Sequence, residues 1–572
     1  MAYTPSDVGE DQVIAKYEGR LELTWTNKHL RLLAHEDGSY EWIPQSDYRV
    51  AEVRLLHDAG TVGEVRSASA RARDNLLIRG DALSALTSLT RLPEFEREYV
   101  GKVKLAYLDP PFNTQQSFLH YDDALEHSVW LTMMRDRLML VQQLLAIDGS
   151  VWIHLDDSEM AYCRVVLDEI FGRTNFIGCV VWEKTYTPKS NGRGLSTDHD
   201  YIIVYAKDST TWLSSGWNLL PRTDVQAARF RNVDNDPRGP WRTYPLDVRT
   251  ENESRRQSYR YEVTLPSGRP VRPAQGRHWA YPRERFEAER AAGMIYFGPD
   301  GNAMPSIKKY LSEAREGVLA RTWWEHTEVG SSQEAKREIK SLFPDVEPFT
   351  TPKPERLLSR IVHIASDPGD VVLDCFLGSG TTAAVAHKMG RRWIGVEWSR
   401  DTVETYAVPR LTRVLSGQDG LRLSSELGWS GGGGFRVLDV APSMFAQDGA
   451  IVVLSEWATN GQLAEATAAQ LQFEYDLDPP FVGRRGRSRL AVVDGLVSEA
   501  VVGVLVRALG EEERLVICGT AVDPAARDVL KNLRSGSTIR KIPQSILHEY
   551  RLATAWFPPG VEPSPAATVA EA

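Results

Sequence analysis

The ten residues Val103-Lys104-Leu105-Ala106-Tyr107-Leu108-Asp109-Pro110-Pro111-Phe112 decide the fold. The first six are rich in apolar side chains and have the length of a buried parallel strand. The proline pair ends them abruptly, because proline cannot extend a sheet ladder. The chain is thus bent at a strand's carboxyl edge, where open α/β sheets place their ligands. The turn offers the carboxylate of Asp109, a Pro110 carbonyl with no amide hydrogen on Pro111 to pair locally, and the flat face of Phe112. An amino group on a planar heterocycle can donate to Asp109 and to that carbonyl while its ring stacks on Phe112. The same letters recur at Asp478-Pro479-Pro480-Phe481, but the residues before them, 472–476, carry acid where a buried strand is apolar, and Arg484-Arg485-Gly486-Arg487 follows. We therefore read Asp109 as the functional copy and Asp478 as a turn.

Outward from this stretch the chain alternates strands and helices. Residues 75–79 read as a strand ending in Gly80-Asp81, with helical spacing at Leu83, Leu86 and Leu89. Asp81 suits a helix cap or contact with a cofactor at the same sheet edge. Residues 130–145 repeat apolar positions at Leu131, Met134, Leu138, Val141 and Leu145, an amphipathic helix. Strand candidates follow at 149–155, 177–182 and 201–205, with a helix over 160–171. This order predicts a doubly wound sheet. It resumes at residues 370–374, then Cys375-Phe376-Leu377-Gly378-Ser379-Gly380-Thr381-Thr382-Ala383 leads into a helix, and Arg392-Trp393-Ile394-Gly395-Val396-Glu397 is a strand closing in acid about 20 residues after the glycines. Strand, glycine turn, helix, strand and acid are the arrangement of nucleotide-binding α/β sheets: the glycines admit the ligand to the backbone, and Glu397 can accept from ribose hydroxyls.

At 572 residues the chain exceeds one core and predicts several domains. Its 42% hydrophobic and 25% charged residues are ordinary globular composition. The start has neither a basic flank nor an apolar core for export, and no run of about 18 apolar residues occurs, so a cytoplasmic protein is expected. Four scattered cysteines without Cys-x-x-Cys pairing argue against structural zinc or a disulfide framework, and no metal site is expected. Residues 181–310 hold 21 Lys/Arg against 15 Asp/Glu in a chain of net charge −10. A locally basic segment in an acidic protein fits one DNA-facing lobe, and equally a solvated surface.

We divide the chain into a small β-rich N-terminal element (1–70, with alternation at 20–25 and 48–53 and an Asp37-Gly38 turn), a catalytic core part (71–210), an insertion (211–347), a second core part (348–425), a C-terminal α/β domain (436–556) after the glycine run at 431–434, and a disordered tail (557–572). The insertion loses the regular alternation. Its interleaved arginines and rings, among them Trp241, Trp279, Phe297, Trp323 and Trp324, suit phosphate and base contacts, or equally a small domain packed on aromatics.

An Asp-Pro-Pro-aromatic turn preceding a glycine turn resembles the S-adenosylmethionine-dependent DNA amino-methyltransferases of the permuted β class, whose insertion holds the target recognition domain. More closely, residues 75–81, 105–114, 130–132, Asp198-His199-Asp200-Tyr201, Asn235-Asp236-Pro237-Arg238-Gly239-Pro240-Trp241, 331–336, Thr351-Pro352-Lys353-Pro354-Glu355 and 378–382 resemble the modification (Mod) subunit of type III restriction-modification systems, in the family's order from about residue 75 to 410.

The resemblance implies a Rossmann-like methyltransferase sheet with S-adenosylmethionine as cofactor and double-stranded DNA as substrate. It also implies a homodimer and a restriction (helicase-nuclease) subunit as partner. It assigns Asp109, Pro110 and Pro111 to gripping the N6 amine of a flipped adenine and Phe112 to stacking on it; the family commonly has tyrosine there. Asp374, Phe376, Gly378, Ser379, Gly380, Thr381 and Thr382 would line the cofactor's methionine and adenosine parts, and Glu397 its ribose. Lys353 falls in the segment closing that pocket, and Asp81 near the cofactor's adenine. His199 is expected to be structural or base-contacting rather than an acid-base catalyst. The alternatives are a solitary methyltransferase, a nicotinamide-dependent oxidoreductase using residues 378–383, and an idle DNA-binding scaffold.

Overall fold

A computed structural model of the chain describes residues 22–34, 40–113, 126–187, 195–249, 257–314, 316–449, 451–458 and 462–552. Arg20-Leu21, the Asp37-Gly38 turn and the tail 557–572 lie outside them.

The described residues form a ten-stranded mixed sheet. Its strands in chain order are β1 (Leu56–Gly63), β2 (Asn75–Arg79), β3 (Val103–Leu108), β4 (Leu145–Leu155), β5 (Phe176–Glu183), β6 (His199–Ala206), β7 (Trp323–Trp324), β8 (Val371–Asp374), β9 (Arg392–Glu397) and β10 (Gly434–Val440). They lie in the order β7-β5-β6-β4-β3-β8-β9-β2-β10-β1. From β4 to β10 every neighbouring pair is parallel. Around them pack helices α1 (Ala82–Arg91), α2 (His127–Leu144), α3 (Met160–Phe171), α4 (Glu355–Ala365) and α5 (Thr381–Lys388). The arrangement is the doubly wound α/β class expected.

Burial follows the sequence pattern. All six residues of β3 are buried, as a strand covered on both faces requires. Its one charge, Lys104, carries its ammonium out to Asp148 at 2.5 Å. In α2 the apolar stripe Leu131, Met134, Leu138 and Val141 is buried.

Several expectations are corrected. Strands β5 and β6 are antiparallel to one another, and β6 is antiparallel to β4, so this end of the sheet folds back as a hairpin instead of continuing the crossover pattern. Of residues 48–53, read as an alternating strand, Tyr48–Ala51 form a short helix capped by Asp47, which accepts from the Arg49 amide; the cap outweighs so short an apolar alternation. Gly434 is the first residue of β10, which pairs parallel with β2 and antiparallel with β1. The glycine run therefore feeds a strand of the main sheet before the C-terminal part begins. That part has its own five-stranded sheet between Glu474–Asp478 and Thr538–Lys541, yet Leu490, Cys518, Ile542 and Ile546 join the main core, and it clusters with the main body.

Residues 219–320 are a compact unit of their own. Leu246, Trp279, Phe286, Phe297 and Ile307 make its core. Asp236 is its polar hub, accepting from Lys308 at 2.9 Å, Tyr310 at 2.6 Å and the guanidinium of Arg238. Trp241, Trp279 and Phe297 are buried, so these rings pack the unit and are not offered to bases. No helix among the described residues is long and apolar enough to cross a membrane, and no group of three or more His, Cys, Asp or Glu side chains there could hold a metal ion.

Candidate active site

Strand β3 leads on to β4 on one side and β8 to β9 on the other, so the chain diverges between two adjacent parallel strands. The crevice outside their carboxyl ends is the position at which doubly wound sheets bind ligands. Leu373 pairs with Ala106 in register. The Asp109 turn and the Asp374 glycine turn therefore leave the same edge side by side.

On the β3 side, the indole of Trp130 donates to the Pro111 carbonyl at 2.7 Å, tying the turn to α2. Asn113 holds φ +61° and its amide donates to Glu159 at 2.7 Å, which fixes the exit. Lys353 donates to Asp109 Oδ2 at 2.5 Å, with its ammonium 5.1 Å from the centroid of the Phe112 ring. Asp109 Oδ1 is buried with no hydrogen-bond partner among the described residues. Such an acceptor stays costly until a donor arrives.

Beneath Phe112 lies a residue that sequence reasoning passed over. His154, at the end of β4, stacks on Phe112 at 5.7 Å and 23°. Tyr107 pairs with its Nδ1 at 2.9 Å, and Asp200 lies 3.3 Å from Nε2. Asp200 also takes Lys184 at 2.6 Å. Burial lowers the His154 pKa, so the ring is neutral near pH 7 and serves as a platform. A polar residue closing an otherwise apolar strand run was its signal. His199 stands apart, paired with the Tyr201 hydroxyl at 2.9 Å.

On the β8 side, Gly378 and Gly380 hold φ +54° and +83°, the left-handed region. A Cβ on Gly380 would sit 3.3 Å from the Ala407 Cα and one on Gly378 3.2 Å from the Phe349 ring. Glu397 accepts from the Gly378 amide at 2.8 Å and the Ser399 amide at 2.9 Å, so it braces the turn. Asp374 accepts from the Phe376 amide at 2.9 Å and from Thr382. Ser379 is buried, and Thr381 accepts from Arg410 at 2.7 Å. Burial, with the charges of Asp109 and Glu397 adding, pushes the Asp374 carboxyl up to about 7 despite those bonds. Burial raises the Glu397 pKa as well. Acids crowded at one sheet edge favour a cationic ligand.

Asp81 caps α1, accepting from the Ser84 amide at 3.1 Å, and pairs with Arg137 at 2.5 Å. It also lines a cavity of about 430 Å³ with Gly80, Trp398 and Val440, at the carboxyl ends of β2, β9 and β10. Lys353, expected over the cofactor, instead pairs with Asp109. Asp478 is in an exposed hairpin, ion-paired with Arg489.

A mixed sheet of this order, with a glycine turn and an Asp-Pro-Pro-Phe turn on adjacent strand ends, defines the class of permuted Rossmann-like transferases. The chain belongs to the DNA methylase family, whose model matches residues 103–408. Among its relatives, the type III restriction-modification enzyme StyLTI Mod subunit of Salmonella typhimurium is 32% identical over 54% of this chain and 49% of its own length. The probable type III HindVI Mod subunit of Haemophilus influenzae is 29% identical over 67% of this chain and 56% of its own. The type II methyltransferase M1.MboII of Moraxella bovis is 55% identical over 53% of this chain and 86% of its own. The chain thus spans about half the length of the type III relatives it matches.

Proposed function

We propose that the protein transfers a methyl group from S-adenosylmethionine to N6 of an adenine flipped out of double-stranded DNA, as the modification subunit of a type III restriction-modification system. The observation that carries this reading is the placement of an Asp109 oxygen with no partner among the described residues next to Asp374, on adjacent strand ends.

The residues present fit the cofactor. Gly378 and Gly380 hold the left-handed backbone of a tight turn packed closely on Phe349 and Ala407, and Asp374 and Glu397, when ionised, would set negative charge against its sulfonium and ammonium. When bound, S-adenosylmethionine supplies an electrophilic methyl group on a good leaving group. The protein's work is then orientation. Asp109 Oδ1 and the Pro110 carbonyl accept the two N6 hydrogens while Phe112, backed by His154, takes the ring. An exocyclic amine is a poor nucleophile because its lone pair is delocalised into the ring. Hydrogen bonds from both N–H groups favour the pyramidal nitrogen that can attack. Lys353 holds the second oxygen of Asp109 and fixes the carboxylate's rotation.

On this reading the protein works in the cytoplasm as a homodimer, and cleavage requires a restriction subunit. A second reading is a methyltransferase that works without a type III restriction subunit, since a type II methyltransferase is among the relatives, matched over 86% of its own length. Incubation of the chain with duplex DNA and methyl-labelled S-adenosylmethionine, followed by digestion to nucleosides, tests the chemistry. Label in N6-methyl-2′-deoxyadenosine supports the proposal; label in a methylated deoxycytidine, or none, overturns it.

A further inference from the structure

Within the unit formed by residues 219–320, several charges are spent internally. Lys308 pairs with Asp234 and Asp236, Arg238 with Asp236, and Arg277 with Asp247. On one face two cations are set against each other beside a cavity. In the antiparallel ladder between Trp241–Pro245 and Ser306–Tyr310, Arg242 stands directly opposite Lys309. Like charges so placed destabilise a sheet. Among the described residues no carboxylate pairs with Arg242, Lys309 or the neighbouring Arg229. Strand alternation makes the contrast sharp: Lys308 points inward and is neutralised, while Lys309, one residue on, is exposed.

These cations border an open cavity of about 650 Å³ walled also by Arg222, Phe230 and Tyr244, with Glu313 its one acid. The rings are set against the guanidiniums: Arg242 lies 4.4 Å from the Tyr244 centroid and 5.8 Å from that of Phe230, and Arg222 5.6 Å from Phe230. Tyr244 is 42% exposed, so one ring face remains available. Guanidinium forks for phosphate oxygens beside an accessible aromatic face match the chemistry of a nucleotide: an anionic ester attached to a flat base.

We propose that this cavity binds a phosphate-and-base segment of the DNA substrate, with Arg242, Lys309 and Arg229 on the phosphates and Tyr244 against a base or sugar. The inference rests on the DNA-methylation reading. It assigns the contact to the face that carries the unneutralised Arg242–Lys309 pair, and it treats the buried tryptophans of the unit as scaffold.

The test uses the full chain and fluorescent duplex DNA. The double variant R242Q/K309Q should bind at least about tenfold more weakly at physiological salt. Its plot of log affinity against log salt should be shallower by about two, since each lost phosphate contact removes about 0.9 from the slope. Its melting temperature should not fall, because a cross-strand repulsion has been removed; a merely structural role would lower it. Tyr244→Leu should weaken binding with the slope unchanged. Unaltered affinity and slope in R242Q/K309Q overturn the proposal, as does loss of adenosine monophosphate binding with duplex binding intact, which would make a free nucleotide the ligand. Failure of the wild-type chain to bind DNA at all overturns both this inference and the methylation reading. Wild-type methylation with DNA binding unchanged in the variants overturns this inference alone.

Discussion

Replacing Asp374 by asparagine separates what this residue costs the fold from what it gives the site. The side chain is 2% exposed and its carboxyl is pushed from 3.8 to about 7, chiefly by burial. The folded state therefore prefers the protonated acid. Stability from this group is complete below about pH 4 and is lost progressively as pH rises towards about 7. At about pH 8 the ionised form costs the unliganded protein about 4 kcal/mol. An asparagine in its place would keep the bond from the Phe376 amide but present an amide N–H to Thr382, a loss of about 1 kcal/mol. The substitution should thus stabilise the unliganded protein by about 3 kcal/mol near pH 8 and by less than about 1 kcal/mol near pH 5. Thermal melts at the two pH values read this directly. Titration calorimetry on the same variant should show S-adenosylmethionine binding lost, whereas wild-type affinity should climb by up to about tenfold per pH unit below about pH 7, as the carboxylate ionises. A variant equally stabilised or destabilised at both pH values would refute the argument, as would undiminished cofactor binding.

Three further outcomes follow from the geometry. Phe112→Ala should lower kcat/KM for methyl transfer by about 10-fold to 100-fold, the worth of one base–aromatic stack, while Phe112→Tyr stays within about threefold; equal loss in both would mean that the ring face is not what matters. In a double-mutant cycle by denaturation, Lys353→Met and Asp109→Asn should couple by about 1 to 3 kcal/mol, and additivity would show the ion pair to be energetically idle. Asp478→Ala should leave methyl transfer unchanged, since its side chain is 68% exposed and is ion-paired with Arg489 of the neighbouring strand Ser488–Val497. Lost transfer there would mean that the second Asp-Pro-Pro-Phe copy was misjudged.

What could be read beforehand, and what could not, divides along physical lines. Strands β3, β8 and β9 were legible because a strand buried on both faces must be a short apolar run, and glycine or proline must end it. The adjacency of β3 and β8 was not legible from periodicity, since 262 residues separate Asp109 from Val371 and pairing over such a distance leaves no local trace. It entered through resemblance. His154 was missed because a buried histidine at a strand end looks like any satisfied core residue until Phe112 is seen on its face. Lys353 was drawn to the cofactor by its segment, yet the nearest anion in three dimensions is Asp109. In residues 219–320, alternating arginines and aromatics suggested a nucleic-acid surface. Packing assigned Trp241, Trp279 and Phe297 to the interior and left the meaningful signal in two opposed cations that only strand register reveals.

The central claim is that Asp109 positions the acceptor amine while the neighbouring strand end holds the donor. It is tested most directly by measuring cofactor affinity and methyl transfer to DNA side by side in Asp109→Ala. The account predicts S-adenosylmethionine binding within about threefold of wild type and transfer reduced by at least about a thousandfold, a loss of about 4 kcal/mol of transition-state stabilisation. Transfer at the wild-type rate would contradict it, and so would loss of cofactor binding in step with loss of transfer.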